Sequence, residues 1–241
     1  MTDKIQILQD KITCAKSIVV LTGAGVSQES GIRTFRGKDG LWNDFKPEEL
    51  ANYGSFIKNP KIVWDWYEWR KDIIMNSQPN TCHYGLSTIE SKKNILIISQ
   101  NVDGLHEEAG SKNLIELHGN IWETICIKCK NVQKDKSLHK NIPPFCTLCN
   151  GLLRPNVVWF DEIIPASKID NISEKINNCD LFLILGTSGL VQPASFFGVY
   201  AKRTNKYVIE INIDETPNNH FYDLHITDKV GEVFSSLNYD F

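Results

Sequence analysis

Long apolar runs are missing from this chain. No stretch approaches the ~20 residues that a bilayer span requires, so a transmembrane helix is excluded. The first residues, MTDKIQILQDKITCAKS, carry charges throughout, with Ile5, Leu8 and Ile12 at the spacing of an amphipathic helix, so a helix rather than a secretory signal is expected there. Charge of one sign is not in excess. A formal net charge of −3 offers no electrostatic reason for nucleic acid or an anionic membrane as the main partner. Internal repeats and low-complexity linkers are also lacking. The seven cysteines are odd in number and four of them form two C-x-x-C pairs, so a disulfide framework gives way to a reducing cytoplasm and a metal site. The 241 residues suffice for a substantial core as one domain, or as one domain with a small appendage.

What is present begins with VLTGAGVSQESGIRTFR, from Val20 to Arg36. An apolar strand runs into Gly23-Ala24-Gly25, which is how a chain opens a phosphate-binding turn. Glycines let backbone approach a pyrophosphate, and free N–H groups point at it. The third glycine of G-x-G-x-x-G is replaced by Gln28, so a plain tight turn remains an alternative. The polar run 27–36 reads as a loop covering a nucleotide. Further β-rich runs at 18–21, 95–99, 114–117, 180–185 and 207–213 end in TGAG, QNVDG, LHGN, GTSG and NIDE. Several are apolar on consecutive positions, as in a parallel sheet covered on both faces. The fold class expected from these runs is α/β with a parallel sheet. Ligands in such sheets lie beyond the carboxyl ends of the strands, so these loops share one candidate site.

Residues 37–93 read as mostly helical, with Ile62, Val63, Trp66, Tyr67, Ile73 and Ile74 around one helix. Residues 121–151 show no sustained period and hold Cys126-x2-Cys129 and, after sixteen residues, Cys146-x2-Cys149. That spacing predicts one zinc ion held by four thiolates, with iron–sulfur or redox chemistry as competitors. With every position taken by cysteine, the zinc is expected to be structural. Cys14, Cys82 and Cys179 are expected to be buried small residues. His118, at a strand end, is a candidate general base or a structural hydrogen-bonder. Asn101 and Asp103 are candidates for binding a carboxamide, or for capping the helix that follows.

In this order and at these spacings, TGAGVSQESGIRTFRG, QNVDGLH, LHGN, the C-x-x-C pairs, VVWFDE, GTSG and NID resemble the sirtuin family over nearly the whole chain. The resemblance implies a Rossmann-type NAD-binding domain from residues 1–36, 94–120 and 152–241, with a smaller lobe made of a helical insertion at 37–93 and a zinc module at 121–151. It implies NAD-dependent removal of acyl groups from protein lysines, yielding nicotinamide, free lysine and 2′-O-acyl-ADP-ribose. Gly23, Ala24 and Gly25 match the pyrophosphate turn; Thr34, Phe35, Arg36 and Trp42 match the mobile cofactor segment, with Phe35 shielding the reacting ribose. Gln100, Asn101 and Asp103 match nicotinamide and ribose contacts, Asn101 and His118 the catalytic pair. Gly186, Thr187, Ser188, Asn212, Ile213 and Asp214 match the adenosine side, and Ile226 a last backbone contact to adenine. Val157, Val158, Trp159 and Phe160, with Leu190 and Val191, match two strands between which an extended acyl-lysine peptide adds itself.

Tyr67 and Arg70 match the Tyr-x-x-Arg pair of the subgroup that prefers acidic acyl groups, with Ala51 as the accompanying small residue. Arginine's planar fork suits a carboxylate, and a tyrosine hydroxyl adds a further bond. The alternative for Arg70 is an exposed side chain pairing with Glu68 or Asp65. Asp161 stands where VVWFGE-type sequences have glycine, and a preference for basic peptide flanks is expected from it. Two other classes stay open: an ADP-ribosyltransferase or NAD glycohydrolase on the same scaffold, and a non-catalytic nucleotide-gated zinc module.

Overall fold

Strands buried on both faces need cover on both faces, and the chain supplies it by alternating strand and helix. The structure, a computed structural model, describes residues 2–36 and 40–240; residues 37–39 of the expected helical insertion lie outside them. The first part of the chain runs α1 (Thr2–Cys14), β1 (Ser17–Thr22), α2 (Ala24–Gln28), α3 (Pro47–Leu50), α4 (Tyr53–Lys58), α5 (Pro60–Met75), α6 (Thr81–Glu90) and β2 (Asn94–Ser99). Then come α7 (Leu105–Glu108), β3 (Leu114–Glu116), β4 (Gly119–Cys126), β5 (Val132–Lys134) and β6 (Leu153–Val157). The chain closes with α8 (Ala166–Asn177), β7 (Leu181–Leu185), α9 (Ala194–Arg203), β8 (Tyr207–Asn212), β9 (Leu224–Thr227) and α10 (Val230–Ser235).

Six strands form an all-parallel sheet in the order β3-β2-β1-β7-β8-β9. Side chains alternate across it. Val20, Ile97, Leu183 and Ile209 meet Leu8 and Ile12 of α1, Leu86 of α6 and Phe234 of α10 on one face. Val19, Ile98, Phe182 and Val208 meet Ile172 of α8 and Phe197 of α9 on the other. From β1 the chain builds outward through β2 in one direction and through β7 in the other. That reversal leaves a crevice beyond the carboxyl ends of β1 and β7.

The smaller lobe has its own core and a three-stranded antiparallel sheet, β5-β4-β6. Here α5 starts at Pro60, behind Asn59, whose side chain accepts from Ile62 N. It buries Val63, Trp64, Trp66, Tyr67 and Ile74 against Trp122, Leu153 and Trp159. Two assignments by sequence range are corrected. Helix α6, inside the expected insertion 37–93, packs on the main sheet, because Cys82, Leu86 and Ile89 fit that core. Strand β6, inside the expected Rossmann range 152–241, pairs with β4 in the small sheet. Ile62 faces solvent on α5, and the expectation of three buried cysteines is corrected for Cys14, which is exposed while Cys82 and Cys179 are buried.

Candidate active site

A cavity of about 1210 Å³ opens at the crevice and extends under the small lobe. Gly23, Ala24, Gly25, Thr34, Phe35, Arg36, Trp42, Gln100, Asn101 and His118 line it. So do Gly186, Thr187, Ser188, Asn212, Ile213 and Asp214 at one end. Ala51, Tyr67, Arg70, Val157, Val158, Trp159, Phe160, Leu190 and Val191 line the other. Two of the residues singled out lie off the wall. Asp103 is buried behind Asn101, and the Ile226 side chain points into the core under β8. Lys229 and Val230, at the start of α10, line the cavity near that end instead, and nothing in the sequence motifs marked them.

The glycine turn is shaped first by backbone packing. A Cβ on Gly23 would stand 2.6 Å from Gly186 O, and one on Gly25 would stand 2.8 Å from Gly186 Cα. Gly23 N donates to Leu185 O at 2.9 Å and Gly25 N to Gly186 O at 2.8 Å. The expectation that these N–H groups point freely at a phosphate is therefore corrected: the turn is sewn to the end of β7. The run 27–36 is likewise not all loop, since α2 extends to Gln28 and buries Ser27. The motif GVSQES hides this because small polar residues serve equally in loops and in short helices after a glycine turn.

Ser27 fixes the orientation of Asn101. Its Oγ donates to Asp103 Oδ2 at 2.8 Å, so it must accept from Asn101 Nδ2 at 3.0 Å; Nδ2 also donates to Gly23 O at 3.0 Å. Both amide hydrogens are occupied, and Oδ1 is what Asn101 offers to the cavity. Asp103 Oδ1 accepts from Leu105 N at 3.0 Å, the helix-start role given above as its alternative. Behind this group, His106 Nε2 lies 3.0 Å from Thr22 Oγ1, and its ring lies 4.7 Å from that of His83. Burial depresses both imidazoles, His83 to about 4, so the pair is neutral at pH 7.

His118 follows β3 and precedes β4. Its Nδ1 is 3.0 Å from Gln100 O. A carbonyl only accepts, so Nδ1 carries the proton and Nε2 is left as a base. Burial holds the imidazole below the ordinary histidine value, opposed by the Gln100 carbonyl and aided by Lys168. His118 O in turn accepts from Val158 N at 2.9 Å, which ties the base to the segment after β6. That segment and Leu190–Val191, read above as strands, are loop and turn except for Val157, the last residue of β6.

The far end of the cavity holds a buried cation. Arg70 is only 5 % exposed and stacks over Phe35 at 4.4 Å and Trp66 at 5.2 Å from the ring centroids. Its Nη1 is buried with no hydrogen-bond partner. The surface-pair alternative is thereby corrected: Asp65 pairs with Lys61 and Glu68 with Lys71 and His139. Burial lowers Arg70 to about 10, with Tyr67 and Asp103 opposing, so it is still a cation at neutral pH. Trp159 Nε1 donates to Tyr67 Oη at 2.8 Å, leaving the phenol's own proton to donate elsewhere. Burial raises Tyr67 to about 12, which keeps that proton in place. Trp159 is itself stacked under Arg154, 3.6 Å from the ring centroid, and Arg154 is forked onto Glu162. Asp161, by contrast, receives Tyr53 N with both oxygens, at 2.9 and 3.1 Å, so its carboxylate is already engaged within the chain.

Cys126, Cys129, Cys146 and Cys149 bring their sulfurs within 4.8 Å of one another. The pairs Cys126–Cys149 and Cys129–Cys146 are 3.5 and 3.7 Å apart. Four thiolates around a zinc with 2.3 Å arms stand about 3.8 Å apart, so the cluster fits that ion. Gly151 keeps the cradle open, since a Cβ there would lie 2.9 Å from Cys126 Sγ.

Comparison with known proteins agrees with this arrangement. The Sir2 family profile matches residues 23–193. The chain is 49 % identical over 215 residues to an NAD-dependent protein deacylase of Aquifex aeolicus (strain VF5), covering 88 % of this chain and 90 % of that one. A crystal structure of a Sir2 homolog–NAD complex superposes with a TM-score of 0.89 at 45 % identity, covering 95 % of this chain and 90 % of that one. A Sir2–p53 peptide–NAD+ complex superposes at 0.87 with 30 % identity, covering 96 % of each chain.

Proposed function

The chain belongs to the Sir2 family, and from that premise we propose that it is an NAD-dependent protein-lysine deacylase whose preferred acyl groups end in a carboxylate, succinyl and malonyl in particular. NAD is the co-substrate, and the four clustered cysteines would hold one structural zinc. The single observation that carries the acyl preference is Arg70 Nη1, a buried donor without a partner on a residue that lines the cavity. A buried cation with an unmade hydrogen bond is costly, and a carboxylate arriving with the substrate satisfies both charge and donor. Tyr67 contributes its hydroxyl proton, and Ala51 leaves room for the longer chain.

NAD supplies a cationic nicotinamide leaving group, which makes its ribose carbon open to attack by the amide oxygen of acyl-lysine. The protein's part is orientation, water exclusion and one proton. Asn101 Oδ1 accepts from an N–H or O–H of the co-substrate. His118 Nε2 takes a proton from a ribose hydroxyl so that the acyl group can pass to the 2′-oxygen. Phe35 and Trp42, with ring centroids 5.2 Å apart, cover the reacting region and keep bulk water out. The peptide lies between 157–160 and 190–191, held by backbone hydrogen bonds. Substrates are therefore proteins with an exposed, extended acyl-lysine segment, and neither nucleic acid nor a membrane is needed. No helix among the described residues is long and apolar enough to cross a membrane. The thiol-rich zinc cluster suits the cytoplasm.

The test is NAD-dependent turnover of one peptide carrying either acetyl-lysine or succinyl-lysine, by wild type and Arg70→Met. The expected result is a succinyl preference in the wild type, and a succinyl-to-acetyl ratio of kcat/KM that falls at least about tenfold in the variant. An unchanged ratio would remove Arg70 from the acyl site. Nicotinamide release that is independent of acyl peptide would move the glycohydrolase or transferase reading to the front.

A further inference from the structure

A second buried charge cluster lies in the small lobe and takes no part in the chemistry above. Lys71 on α5 is fully buried, Glu68 stands three residues before it, and His139 reaches both from the loop between β5 and Cys146. Glu68 gathers three donors. Lys71 Nζ is 3.2 Å from Oε1, His139 Nδ1 is 2.9 Å from the same oxygen, and the His139 backbone N–H meets Oε2 at 2.8 Å. Because a carboxylate only accepts, His139 Nδ1 carries its proton. The His139 ring also packs edge-on against Trp64, centroids 5.0 Å apart, and Trp64 Nε1 donates to Leu153 O of β6 at 2.9 Å.

Trp64, Glu68 and Lys71 are four and three residues apart and so form one stripe along α5. Tyr67 and Arg70 are interleaved with that stripe and line the cavity. One helix thus presents the acyl-reading pair to the cavity while its adjoining stripe is gripped by the loop between the two cysteine pairs. We infer that Glu68 and His139 are positioning residues, a latch through which the cysteine module fixes the roll of α5 and so sets the discrimination between carboxylate-tipped acyl groups and acetyl. This rests on the acid-acyl reading of Tyr67 and Arg70.

The lever is geometric. A guanidinium stands ~7 Å from its helix axis, so a roll of ~10° carries it ~1 Å, more than a paired hydrogen bond tolerates. An acetyl group has no carboxylate to misplace, and its turnover does not depend on that roll. Lys71 adds a penalty to slackness, since Glu68 is the anion that balances it inside the lobe.

The experiment uses the full chain with zinc bound, measuring kcat and KM for succinyl-lysine and acetyl-lysine peptides in wild type, His139→Leu, His139→Asn, Glu68→Gln and Arg70→Met, with zinc content determined for each. His139→Leu keeps bulk against Trp64 and removes the side-chain donor; His139→Asn restores a donor close to Nδ1. The expected outcome for His139→Leu is a succinyl KM raised about three- to tenfold, with acetyl KM and zinc content unchanged, and recovery in His139→Asn. If His139→Leu loses its zinc, Glu68→Gln, on α5, decides by the same split in KM. Selectivity that stays at the wild-type value in the latch variants while Arg70→Met loses it overturns the latch alone. A parallel fall for both peptides overturns it too, in favour of a purely structural role. A wild type without succinyl preference overturns the acid-acyl reading and the latch with it.

Discussion

His118 shows how one hydrogen bond decides a residue's chemistry. With Nδ1 donating to Gln100 O, the imidazole can act as a base only in its neutral form. Burial disfavours the imidazolium, so the folded pKa lies below the ordinary 6.5, and the base form persists as pH falls through that value. Activity is then lost only below it, when Nε2 is protonated. The expected profile of kcat/KM against pH has an acid limb with its midpoint under 6.5, absent from the residual activity of His118→Ala. A midpoint above that value would show that the imidazole is stabilised in its charged form, contrary to its surroundings. Asn101 and Ser27 make the same point: Asn101 was visible in the motif QNVD, whereas the serine that orients it looked like part of a polar loop.

At the scale of elements, the β1–α2 turn and the end of β7 are a single built piece. Gly23, Gly25 and Gly186 touch backbone to backbone, and Gly186 itself has φ +58. Gly25→Ala forces its new methyl to within 2.8 Å of Gly186 Cα, and neither backbone can yield without shifting a strand end. Overpacking of this kind costs about 1–3 kcal/mol, a fall in melting temperature of ~2–12 °C for a domain of this size. Calorimetry with and without NAD checks it, and KM for NAD is expected to rise in the same variant. An unchanged melting temperature would mean that the turn relaxes more freely than its contacts suggest. Helix α5 carries the parallel lesson for side chains. Its apolar periodicity was legible, but the burial of Arg70 and Lys71 was not, because their partners come from Phe35 and from the loop 135–139, far away in sequence.

For the molecule as a whole, the two lobes have separate cores, and all six tryptophans belong to the small one: Trp42, Trp64, Trp66, Trp122 and Trp159 in or against its core, Trp69 exposed on α5. Cys126 and Cys146 are buried in that same core, so the zinc cluster and the tryptophans share one packing unit. A strong chelator is therefore expected to shift tryptophan emission to longer wavelength while most far-ultraviolet circular dichroism, which comes chiefly from the main sheet and its helices, persists. Zinc added back should reverse the shift. Simultaneous loss of both signals would show instead that the lobes unfold as one unit.

Much of this protein is local and was readable as such. Apolar runs on consecutive positions mark β1, β2, β7 and β8 as strands covered on both faces, and the cysteine spacing marks the zinc cluster, because each depends on neighbours a few residues away. The motifs likewise located most of the cavity wall, since the loops after parallel strands converge by topology. Tertiary structure alone decided the rest. It placed α6 with the main sheet and β6 with the small one, moved Asp103 and the Ile226 side chain off the cavity wall, and engaged the glycine N–H groups with β7. It also buried Arg70 with a donor left open. Each of those outcomes depends on which backbone or side chain arrives from a distant segment to fill a space or take a hydrogen bond, and pattern along the chain does not encode that arrival.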